Sequence, residues 1–563
     1  MTSFIEAMNM KFLGGVCAGM LCLSSCISVN DKLGSDYLAS NQQYNLHVAE
    51  FPIDDIEMDT PDDLSGFNYY HFTVGAVRED MFGLTTRSSA FTLVPVADTL
   101  DFGKAGTQVF RQFHFSAPKA GTSYVEDNQE RIVQNVNVYE LSEALDLDKA
   151  YPEVHYRPER ITKGIPLYNG GDSLSFDFSR EFAEKYMTIK DADLDTITSY
   201  TKRFPGIYIT MDEPVGNGGR INMFSLPVNV SNYTINGAIA SLKFSAEYEG
   251  KGVRDTTFYF YLGPVDLFDM TNVSTTSTAE YPQIALDVAT HESAARRGEK
   301  AGDSFYFEGG RGLKPVIKAK SLREKLREVI GQYGNPEEAI ISKASIVLPF
   351  DFPDDYEDMV FYPTNLNATC RIRTEKDEND ADSKETVRFA GLADANVSAE
   401  NQGDINRSLC VYSPDITHHA QEMIRLKDDA IGRIGNYDIW FFAVAEEEVS
   451  SSSSSSSDSE YSDYLRQLAY ASYYNNMYNG YGGYGGYGGY GGYGGYGGYG
   501  YNSYSNYYNY MLMSQMLASQ SSTTTTETQA MMDPHRFYKV PFHGPENKGD
   551  KPVFKVTFAI PRK

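Results

Sequence analysis

Short segments in which apolar and polar residues alternate are the feature of this 563-residue sequence that most constrains its fold. In the clearest example, Leu242, Phe244 and Ala246 alternate with polar residues before a turn at 249–252, and residues 258–262 alternate after it. Every second side chain of a strand lies on the same face, so this pattern predicts one buried face on each segment. The glycines and charged residues of the turn complete the pattern of a β-hairpin.

Comparable strand patterns recur along the chain, whereas helical patterns are few. The other predicted strands are residues 72–77, 90–96, 206–210, 339–349, 437–445 and 553–560. One helix is predicted to begin with a capping box at 321–324 and to end at Gly331, and a second covers residues 180–187. Many short strands separated by turns predict a mainly β fold of two tandem antiparallel β-sandwich domains, jelly-roll-like, with a few short helices.

The first β-sandwich domain is predicted at residues 34–270 and the second at residues 271–449 and 535–563, around a low-complexity insert at 450–534. The insert contains a serine run, then a Tyr-Gly-Gly repeat, then a threonine run. This composition cannot bury enough apolar surface to offset the entropy of ordering, so the insert is predicted to be long and disordered. The repeat could stack on sugars, associate with like segments, or have expanded in a loop without any function.

The first residues of the chain predict where the protein is located. Residues 12–23 are apolar, but they are fewer than the roughly 20 residues that a membrane-spanning helix needs. The run ends in Leu23-Ser24-Ser25-Cys26, which resembles the bacterial lipobox, where the cysteine is acylated and becomes the first residue of the mature chain. We predict a lipoprotein signal peptide at 1–25, a lipidated Cys26 and a tether at 26–33. An uncleaved signal anchor is the alternative.

The start of translation and the final location follow from the same segment. Glu6 is acidic where a signal peptide is normally basic, so either Met1 or Met10 is the first residue. We expect the mature chain to be anchored by lipid in the outer membrane, on a face that the sequence leaves open. The net charge of −27 excludes a nucleic-acid partner, because phosphate binding needs clustered Lys and Arg.

Few residues of the mature chain point to a ligand, a metal or a covalent bond. Cys370 and Cys410 form a disulfide or remain two buried thiols, since the sequence does not give the distance between their sulfurs. His418, His419 and Glu422 stand together in a short predicted helix, as weak candidates for a metal site against the favoured alternative of surface histidines. We predict no catalytic residue, no cofactor and no metal.

The glycines of EGGRGLKP, residues 308–315, predict a turn that packs against its neighbours. A phosphate loop would need a serine or threonine after the lysine and a helix that begins there. Here Pro315 follows Lys314, and the chain continues into a strand pattern.

Several segments of the sequence share their pattern with one protein family. Residues 73–95, TVGAVREDMFGLTTRSSAFTLVP, contain the matching residues Gly75, Asp80, Phe82, Gly83 and Thr85. Further agreement lies at 166–178, 204–209, 254–260 and 307–322. Together these segments resemble the uncharacterised Bacteroidetes lipoproteins called domain of unknown function 4270. The resemblance covers most of residues 26–445 and the last strands, and leaves out the insert. It implies the lipoprotein location and a β-rich fold, and it implies no catalytic residue because the family has no established activity.

The resemblance to a Bacteroidetes family also suggests a covalent modification. Members of this phylum attach O-glycans to a Ser or Thr that follows Asp and precedes a small or aliphatic residue. The candidate acceptors are Thr99, Ser173, Thr196 and Thr256. Because so short a motif arises often by chance, we expect one or two of them to be modified.

Taken together, the sequence predicts an outer-membrane lipoprotein with a non-catalytic binding or structural role in the cell envelope. Its partners are the membrane, through the lipid anchor, and envelope proteins or glycans. The alternative is a glycan-binding or glycan-processing accessory lipoprotein. A glycan binder should expose a row of rigid aromatic rings, whereas a glycosidase should hold two carboxylates about 5–10 Å apart in a cleft.

Overall fold

The structure is a computed structural model in which the described residues run from 43 to 562. The gaps within this range are 65, 69, 96–98, 125–128, 148, 232–233, 264–279, 282, 375–385, 393–401, 428–433, 452–524 and 534. The predicted signal peptide, Cys26, the tether and most of the insert therefore lie outside the described residues. Among the helices of the described part, none is long and apolar enough to cross a membrane.

The described residues form many strands and few helices. The strands of the first part of the chain are β1 Tyr44–Pro52, β2 Ile56–Asp59, β3 Phe67–Asn68, β4 His71–Glu79, β5 Gly83–Pro95, β6 Val109–Tyr124, β7 Gln134–Leu141, β8 Tyr156–Arg160, β9 Leu167–Tyr168, β10 Ser173–Asp177, β11 Ile207–Met211, β12 Gly218–Ser225, β13 Val228–Ser231, β14 Thr234–Asn236, β15 Ile239–Tyr248 and β16 Gly252–Gly263. The later strands are β17 Glu280–Tyr281, β18 Ala285–His291, β19 Ser304–Glu308, β20 Lys314–Ile317, β21 Ile340–Pro349, β22 Asn365–Thr374, β23 Thr386–Gly391, β24 Ile405–Asn406, β25 Val411–Tyr412, β26 Ile439–Ser451, β27 Thr525–Met532, β28 Lys539–His543 and β29 Val553–Pro561.

The helices are short, and the sheets are antiparallel. The α-helices are α1 Arg180–Tyr186, α2 Ile197–Arg203, α3 Ala319–Gly331 and α4 Thr417–Arg425, and 3₁₀ helices lie at Asp191–Asp193, Glu292–Arg296, Pro336–Glu338 and Tyr356–Phe361. Neighbouring strands run antiparallel in each sheet. The predicted mainly β fold with several antiparallel sheets and few helices is confirmed.

Six strands of the first part pair in succession into a closed ring. Their order is β4, β5, β16, β15, β6 and β12, which pairs again with β4. The predicted hairpin is β15–β16, in which Leu242 pairs with Phe258. The same sheet continues from β5 through β11 and β7 to β8. The buried apolar side chains of these strands, with those of α1 and α2, form the first core, which runs in sequence from Phe67 to Val288.

The second core is built from both ends of the described chain. β1 pairs with β29 over all nine of its residues, and β2 pairs with β20. The predicted domain limits are therefore wrong at two places, since residues 44–59 belong with the second domain and β18 pairs with β5 of the first. Alternation identifies a strand but not its partner, which explains why a division at residue 270 misplaced these segments.

Strand pairing also continues into the predicted insert from both of its ends. β26 runs to Ser451, and β27 pairs with it from Thr525 to Met532. The predicted limits of 450–534 are therefore too wide by these strand residues, and the predicted disorder of residues 452–524 lies outside the described residues.

Helix α3 begins earlier than the predicted capping box. Its N-cap is Lys318, which makes no side-chain cap, and Ser321 Oγ instead donates to Asp55 Oδ2 at 2.5 Å. The backbone N–H of Lys318 donates to the carbonyl oxygen of Asp55, and that of Ala319 donates to Asp438 Oδ1. Partners from distant segments thus satisfy the first donors of the helix, which a local sequence pattern does not reveal.

The sheet that contains β4 and β12 separates the two cores. Phe72, Val74 and Phe224 belong to the first core, whereas Val77 and Ile221 belong to the second. Adjacent positions of a strand face opposite sides of a sheet, so both faces of these strands are covered. Polar groups on the face toward the second core therefore lie between two apolar interiors.

Candidate functional site

Several ionisable side chains are buried together between the two cores, and we name this set the buried joint. Its members are Arg87 of β5, Asp287 and His291 of β18, Glu308 of β19, Lys314 of β20, and Asp533 and His535 after β27. They come from segments up to 450 residues apart, so only the complete fold assembles them.

The carboxylate of Glu308 is the centre of the buried joint and is fully buried. Its Oε1 accepts a hydrogen bond from Thr85 Oγ1 at 2.8 Å and lies 2.5 Å from His291 Nδ1. Its Oε2 accepts hydrogen bonds from Ser293 Oγ and from the backbone N–H of Leu313 at 3.2 Å. Burial acts to raise the pKa of Glu308, but the contact with His291 and the two hydroxyl donors outweigh it and hold the pKa below its ordinary range.

Lys314 is the fully buried cation beside Glu308. Its Nζ donates a hydrogen bond to the backbone carbonyl of Glu308 and lies 4.7 Å from the centre of the Phe307 ring and 5.8 Å from that of Phe442. Burial lowers the pKa of Lys314 to about 7, with the Glu308 charge opposing this shift and Arg87 adding to it. The ammonium group is thus held by aromatic faces and a carbonyl oxygen instead of water.

The glycine-rich turn at 309–312 brings Glu308 and Lys314 together. Gly310 has a φ of 59°, and a side chain at this position would collide with the guanidinium of Arg87. A Cβ at Gly312 would lie 2.5 Å from the carboxyl group of Glu308. Both positions therefore require glycine, and the segment is a turn that packs against its neighbours.

Arg87 crosses the same region from the centre of β5 and is only 2% exposed. It lies directly opposite Gly75 of β4 on one side and Ala289 of β18 on the other. The small size of both neighbours leaves room for the long side chain. Burial lowers the pKa of Arg87, and the charges of Asp287 and Glu308 act against that shift.

Asp287 links the first domain to the segment that follows the insert. Its Oδ1 accepts hydrogen bonds from the backbone N–H of Thr73 at 2.9 Å and from Ser89 Oγ at 2.5 Å. Its Oδ2 lies 3.2 Å from Nδ1 of His535, within ion-pair distance but without the geometry of a hydrogen bond. The chain that returns from the insert is thereby held against β4, β5 and β18.

The returning segment is itself ordered by Asp533. The carboxylate of Asp533 accepts hydrogen bonds from the backbone N–H groups of His535 and Arg536 and, at 2.8 Å, from the hydroxyl of Tyr538. The rings of His71 and His535 meet edge to face with 5.5 Å between their centres. Burial, and next the neighbouring His535, lower the pKa of His71 to about 3.

Clusters of groups with shifted pKa values often mark functional sites, but they also occur in structural ion-pair networks. In the buried joint the charged groups are shielded from solvent, and the carboxylates of Glu308, Asp287 and Asp533 accept hydrogen bonds from side chains or backbone N–H groups within the chain. Removing one partner from such a network leaves an uncompensated buried charge, which is strongly destabilising. The arrangement thus couples the two cores mechanically.

The predicted metal candidates lie on α4 and face different surroundings. His419 is fully buried, and its Nε2 lies 2.9 Å from the carbonyl oxygen of Tyr437. Burial lowers the pKa of His419 to about 4 and raises the pKa of Glu422 to about 7. His418 is exposed on another side of the helix. In the part of the chain that the structure describes, no group of three or more His, Cys, Asp or Glu is arranged to hold a metal ion.

Of the two alternatives left open for Cys370 and Cys410, the structure shows two separate thiols and no disulfide between them. Cys370 is buried in β22, whereas Cys410 precedes β25 in a different sheet. The Sγ of Cys410 lies 3.6 Å from the carbonyl oxygen of Arg407, and the residue has a φ of 53°. Cys370 belongs to the second core from β22, and Cys410 packs against that core from the residue before β25, so a 40-residue spacing in sequence did not become a bond.

The four candidate glycosylation residues differ in accessibility. Thr99 and Ser173 are exposed. Thr196 is exposed as well, but it is the N-cap of α2 and accepts a hydrogen bond from the backbone N–H of Ser199 at 3.1 Å. Thr256 is half-buried, with its Oγ1 2.7 Å from the hydroxyl of Tyr248. Thr99 and Ser173 are therefore the better placed acceptors.

A second candidate site lies on the surface, and we name it the aromatic face: Tyr139 of β7, Tyr156 of β8 and Tyr208 of β11. The ring of Tyr156 stacks on that of Tyr139 at 4.7 Å and on that of Tyr208 at 4.8 Å, with interplanar angles of 29° and 19°. Tyr139 and Tyr208 are direct partners in the sheet. Tyr156 is 42% exposed, so its ring offers an accessible surface that the other two hold in place.

Polar groups lie on the same strands as the aromatic face, with Arg160 of β8 paired with Tyr139 of β7. Arg160 Nε donates a hydrogen bond to Asn137 Oδ1 at 3.0 Å, and Asn137 Nδ2 donates to Asp212 Oδ1 at 2.8 Å. An aromatic surface beside a few fixed polar groups is the usual composition of a small-molecule binding site. This composition suits a sugar ring, which has an apolar face and a rim of hydroxyls.

No protein-family model matches the chain, no curated protein matches it, and no solved structure matches its fold. The resemblance to domain of unknown function 4270 therefore stays a prediction.

Sequence reasoning missed both candidate sites. Arg87 and Glu308 lie in segments that were noted only for their family pattern and their glycines. Arg87 stands among threonines and serines, and Glu308 ends its strand before two glycines, so neither charge had a clear signal of burial in the sequence. The aromatic face had no sequence signal, because its three tyrosines lie far apart in the chain.

Replacement of the central carboxylate tests the buried joint. We expect Glu308→Gln to lower the free energy of unfolding by about 3–5 kcal/mol, because the amide leaves the buried Lys314 without a compensating charge and presents an N–H group where a carboxylate oxygen accepts hydrogen bonds. Urea unfolding followed by circular dichroism measures the change.

Two controls keep this result specific. Glu249→Gln, in the exposed turn between β15 and β16, should change the unfolding free energy by less than about 0.5 kcal/mol. The effects of Thr85→Val and Glu308→Gln should be non-additive, because the two side chains share one hydrogen bond. If Glu308→Gln changed the unfolding free energy by less than about 0.5 kcal/mol, the claim that the buried joint stabilises the fold would be contradicted.

The pKa of His71 predicts a pH dependence with a definite sign. Its folded pKa of about 3 lies below the ordinary value of 6.5, so the unfolded chain binds a proton that the folded chain does not between these pH values. The contribution of His71 to stability is fully present above pH 6.5 and falls by about 1.4 kcal/mol per pH unit as the pH drops toward 3. Other groups also titrate here, and Glu422 has the opposite sign because its pKa is raised.

The His71→Phe variant isolates the contribution of His71 to the pH dependence of stability. We expect the stability of the wild type relative to His71→Phe to decrease steadily between pH 6.5 and pH 4 in urea unfolding. If the difference in unfolding free energy between the wild type and His71→Phe stayed constant over this pH range, burial would not keep His71 neutral.

Proposed function

We propose that the protein is an outer-membrane lipoprotein with a non-catalytic binding or structural role in the cell envelope. The observation that carries this proposal is the sequence Leu23-Ser24-Ser25-Cys26, which stands in front of a large, mainly β body. Acylation of Cys26 would attach this body to the membrane at a single point.

The buried joint supports a role as a rigid scaffold. Its ionisable groups are enclosed between the two cores, and its carboxylates accept hydrogen bonds from partners within the chain. Their chemistry is used to hold the two cores together, which is what a load-carrying or partner-binding body in the envelope needs. The exposed Thr99 and Ser173 are proposed as O-glycan acceptors on this body.

Acylation of Cys26 is the first prediction of this proposal. Radiolabelled palmitate should enter the wild-type chain in a bacterial host, and Cys26→Ala should remain unlabelled because it lacks the only proposed acceptor. Cys410→Ala should be labelled like the wild type. Equal labelling of Cys26→Ala would contradict the lipoprotein assignment.

Pull-down of the acylated chain from detergent-solubilised membranes should then recover envelope proteins or glycans.

A glycan-binding accessory lipoprotein is the second candidate function, and the aromatic face favours it. The rings of Tyr139 and Tyr208 stack against that of Tyr156 and restrict its orientation. A sugar would therefore bind to a preorganised surface. Arg160, hydrogen-bonded to Asn137, places a polar group close to the ring.

Substitution of the exposed ring tests this second function. If the wild type is retarded by a polysaccharide in affinity electrophoresis, Tyr156→Ala should weaken that binding about tenfold, because one stacking contact is lost. Tyr259→Ala is the matched control, since Tyr259 is 40% exposed on β16 and lies outside the aromatic face. Equal retardation of both variants would exclude the aromatic face as the binding site.

A further inference from the structure

We infer that the solvent-facing side of the sheet formed by β1, β29 and β21 rests on the surface of the lipid bilayer. This side carries an apolar patch, the β1 patch, which consists of Tyr44, Leu46, Val48, Ala559 and Ile340. The inference rests on the proposed acylation of Cys26 and names the surface by which the anchored body would meet its membrane.

The strand registers place the side chains of the β1 patch next to one another. Leu46 pairs with Ala559, and Ala559 pairs in turn with Ile340, so these three side chains form one row across the sheet. Tyr44 and Val48 stand two residues before and after Leu46, and the alternation of a strand puts them on the same face. The patch is therefore continuous across three strands.

Four residues of the β1 patch, Tyr44, Leu46, Val48 and Ile340, are exposed, and Ala559 between them is half-buried. Leu46 is 65% exposed and Val48 is 74% exposed, whereas Phe51 of the same strand lies in the second core. Ile340 is 41% exposed, and the adjacent Ile341 is buried. Single exposed apolar residues are common on proteins, but a contiguous patch of them marks an interaction surface.

The position of the patch in the chain favours a membrane as its occupant. Seventeen residues, 27–43, separate Cys26 from Tyr44, which limits the distance from the anchor to β1 to about 60 Å even if this segment were fully extended. The strand closest to the anchor in sequence is thus also the one that exposes the largest apolar side chains of the sheet.

The charges beside the patch agree with a lipid surface. Lys343 lies in the next row, aligned with Val48 and Thr557, and Lys555 lies one row further, where it pairs with Glu50 at 3.3 Å. The whole chain carries a net charge of −27 and would be repelled by anionic lipids on most of its surface. Because Glu50 compensates Lys555, Lys343 is the positive charge that remains in these two rows, and a cation beside exposed apolar side chains makes this face suited to contact phospholipid headgroups.

A reporter tryptophan in the acylated full chain tests the inference. The chain has one tryptophan, Trp440, which is 3% exposed and supplies a constant background. Leu46→Trp places a second indole in the β1 patch, and Val253→Trp places one at a 75% exposed site on β16 as the control. Each protein is bound to vesicles of phosphatidylcholine and phosphatidylglycerol with and without bromine on the acyl chains.

The expected result is a fluorescence at position 46 that falls about twofold in brominated vesicles, because an interfacial contact lies within reach of the acyl chains. The control at position 253 should be unaffected. A vesicle-bound protein whose indole at position 46 is not quenched would overturn the inference. A blue shift of that indole without quenching would also overturn it, since a protein such as a second copy pairing along β1 would then cover the patch.

Failure of the proposed function gives a different result. An unacylated chain would not float with the vesicles at all, whereas failure of this inference alone leaves a floating protein with an unquenched indole at position 46. Flotation and quenching are measured on the same samples, so the two failures are distinguishable.

Discussion

The fold depends on one fully buried carboxylate, that of Glu308. A charge in an apolar interior costs several kcal/mol unless partners surround it, and the partners of Glu308 come from both domains. Thr85 and His291 approach from strands of the first domain, while Ser293 and the turn that leads to Lys314 approach from the segment between them and the second core. None of these groups is satisfied unless the two cores are packed together. The glycines of that turn follow from the same constraint, because Arg87 and Glu308 occupy the space that side chains would need.

The ends of the described chain meet for a related reason. β1 is the edge of a sheet whose central strands are β29 and β21, so the part of the chain nearest to Cys26 is folded onto the last strand. A pull on an anchor at Cys26 would therefore act on a strand held by nine residue pairs rather than on a loose end. The second core transmits that load through the buried joint to the first core, on which the aromatic face lies. The two proposed contacts with the envelope thus stand on opposite parts of one connected body.

The sequence was sufficient for the strands but not for their partners. Alternation identified β15–β16 and the strand β29 correctly, because each of them has one face in a core. It could not show that β1 pairs with β29 or that β18 joins the first domain, since pairing depends on contacts between distant segments. The predicted capping box at Ser321 was wrong for the same reason, as Asp55 and Asp438 supply the partners at that helix end. The burial of Arg87 and Glu308 depends on segments that are distant in sequence, and the stack of Tyr139, Tyr156 and Tyr208 likewise exists only in three dimensions.

Native-state hydrogen exchange in increasing urea is the most direct test of the claim that the buried joint couples the two cores. It follows the opening of separate strands in one sample, so the first core can be monitored through β15 and β16 and the second through β21 and β29. If the joint unites the cores, the slowest amides of both strand sets should lose protection at the same urea concentration. Loss of protection in one core while the other remains closed would show that the cores unfold independently and that the buried charges do not join them.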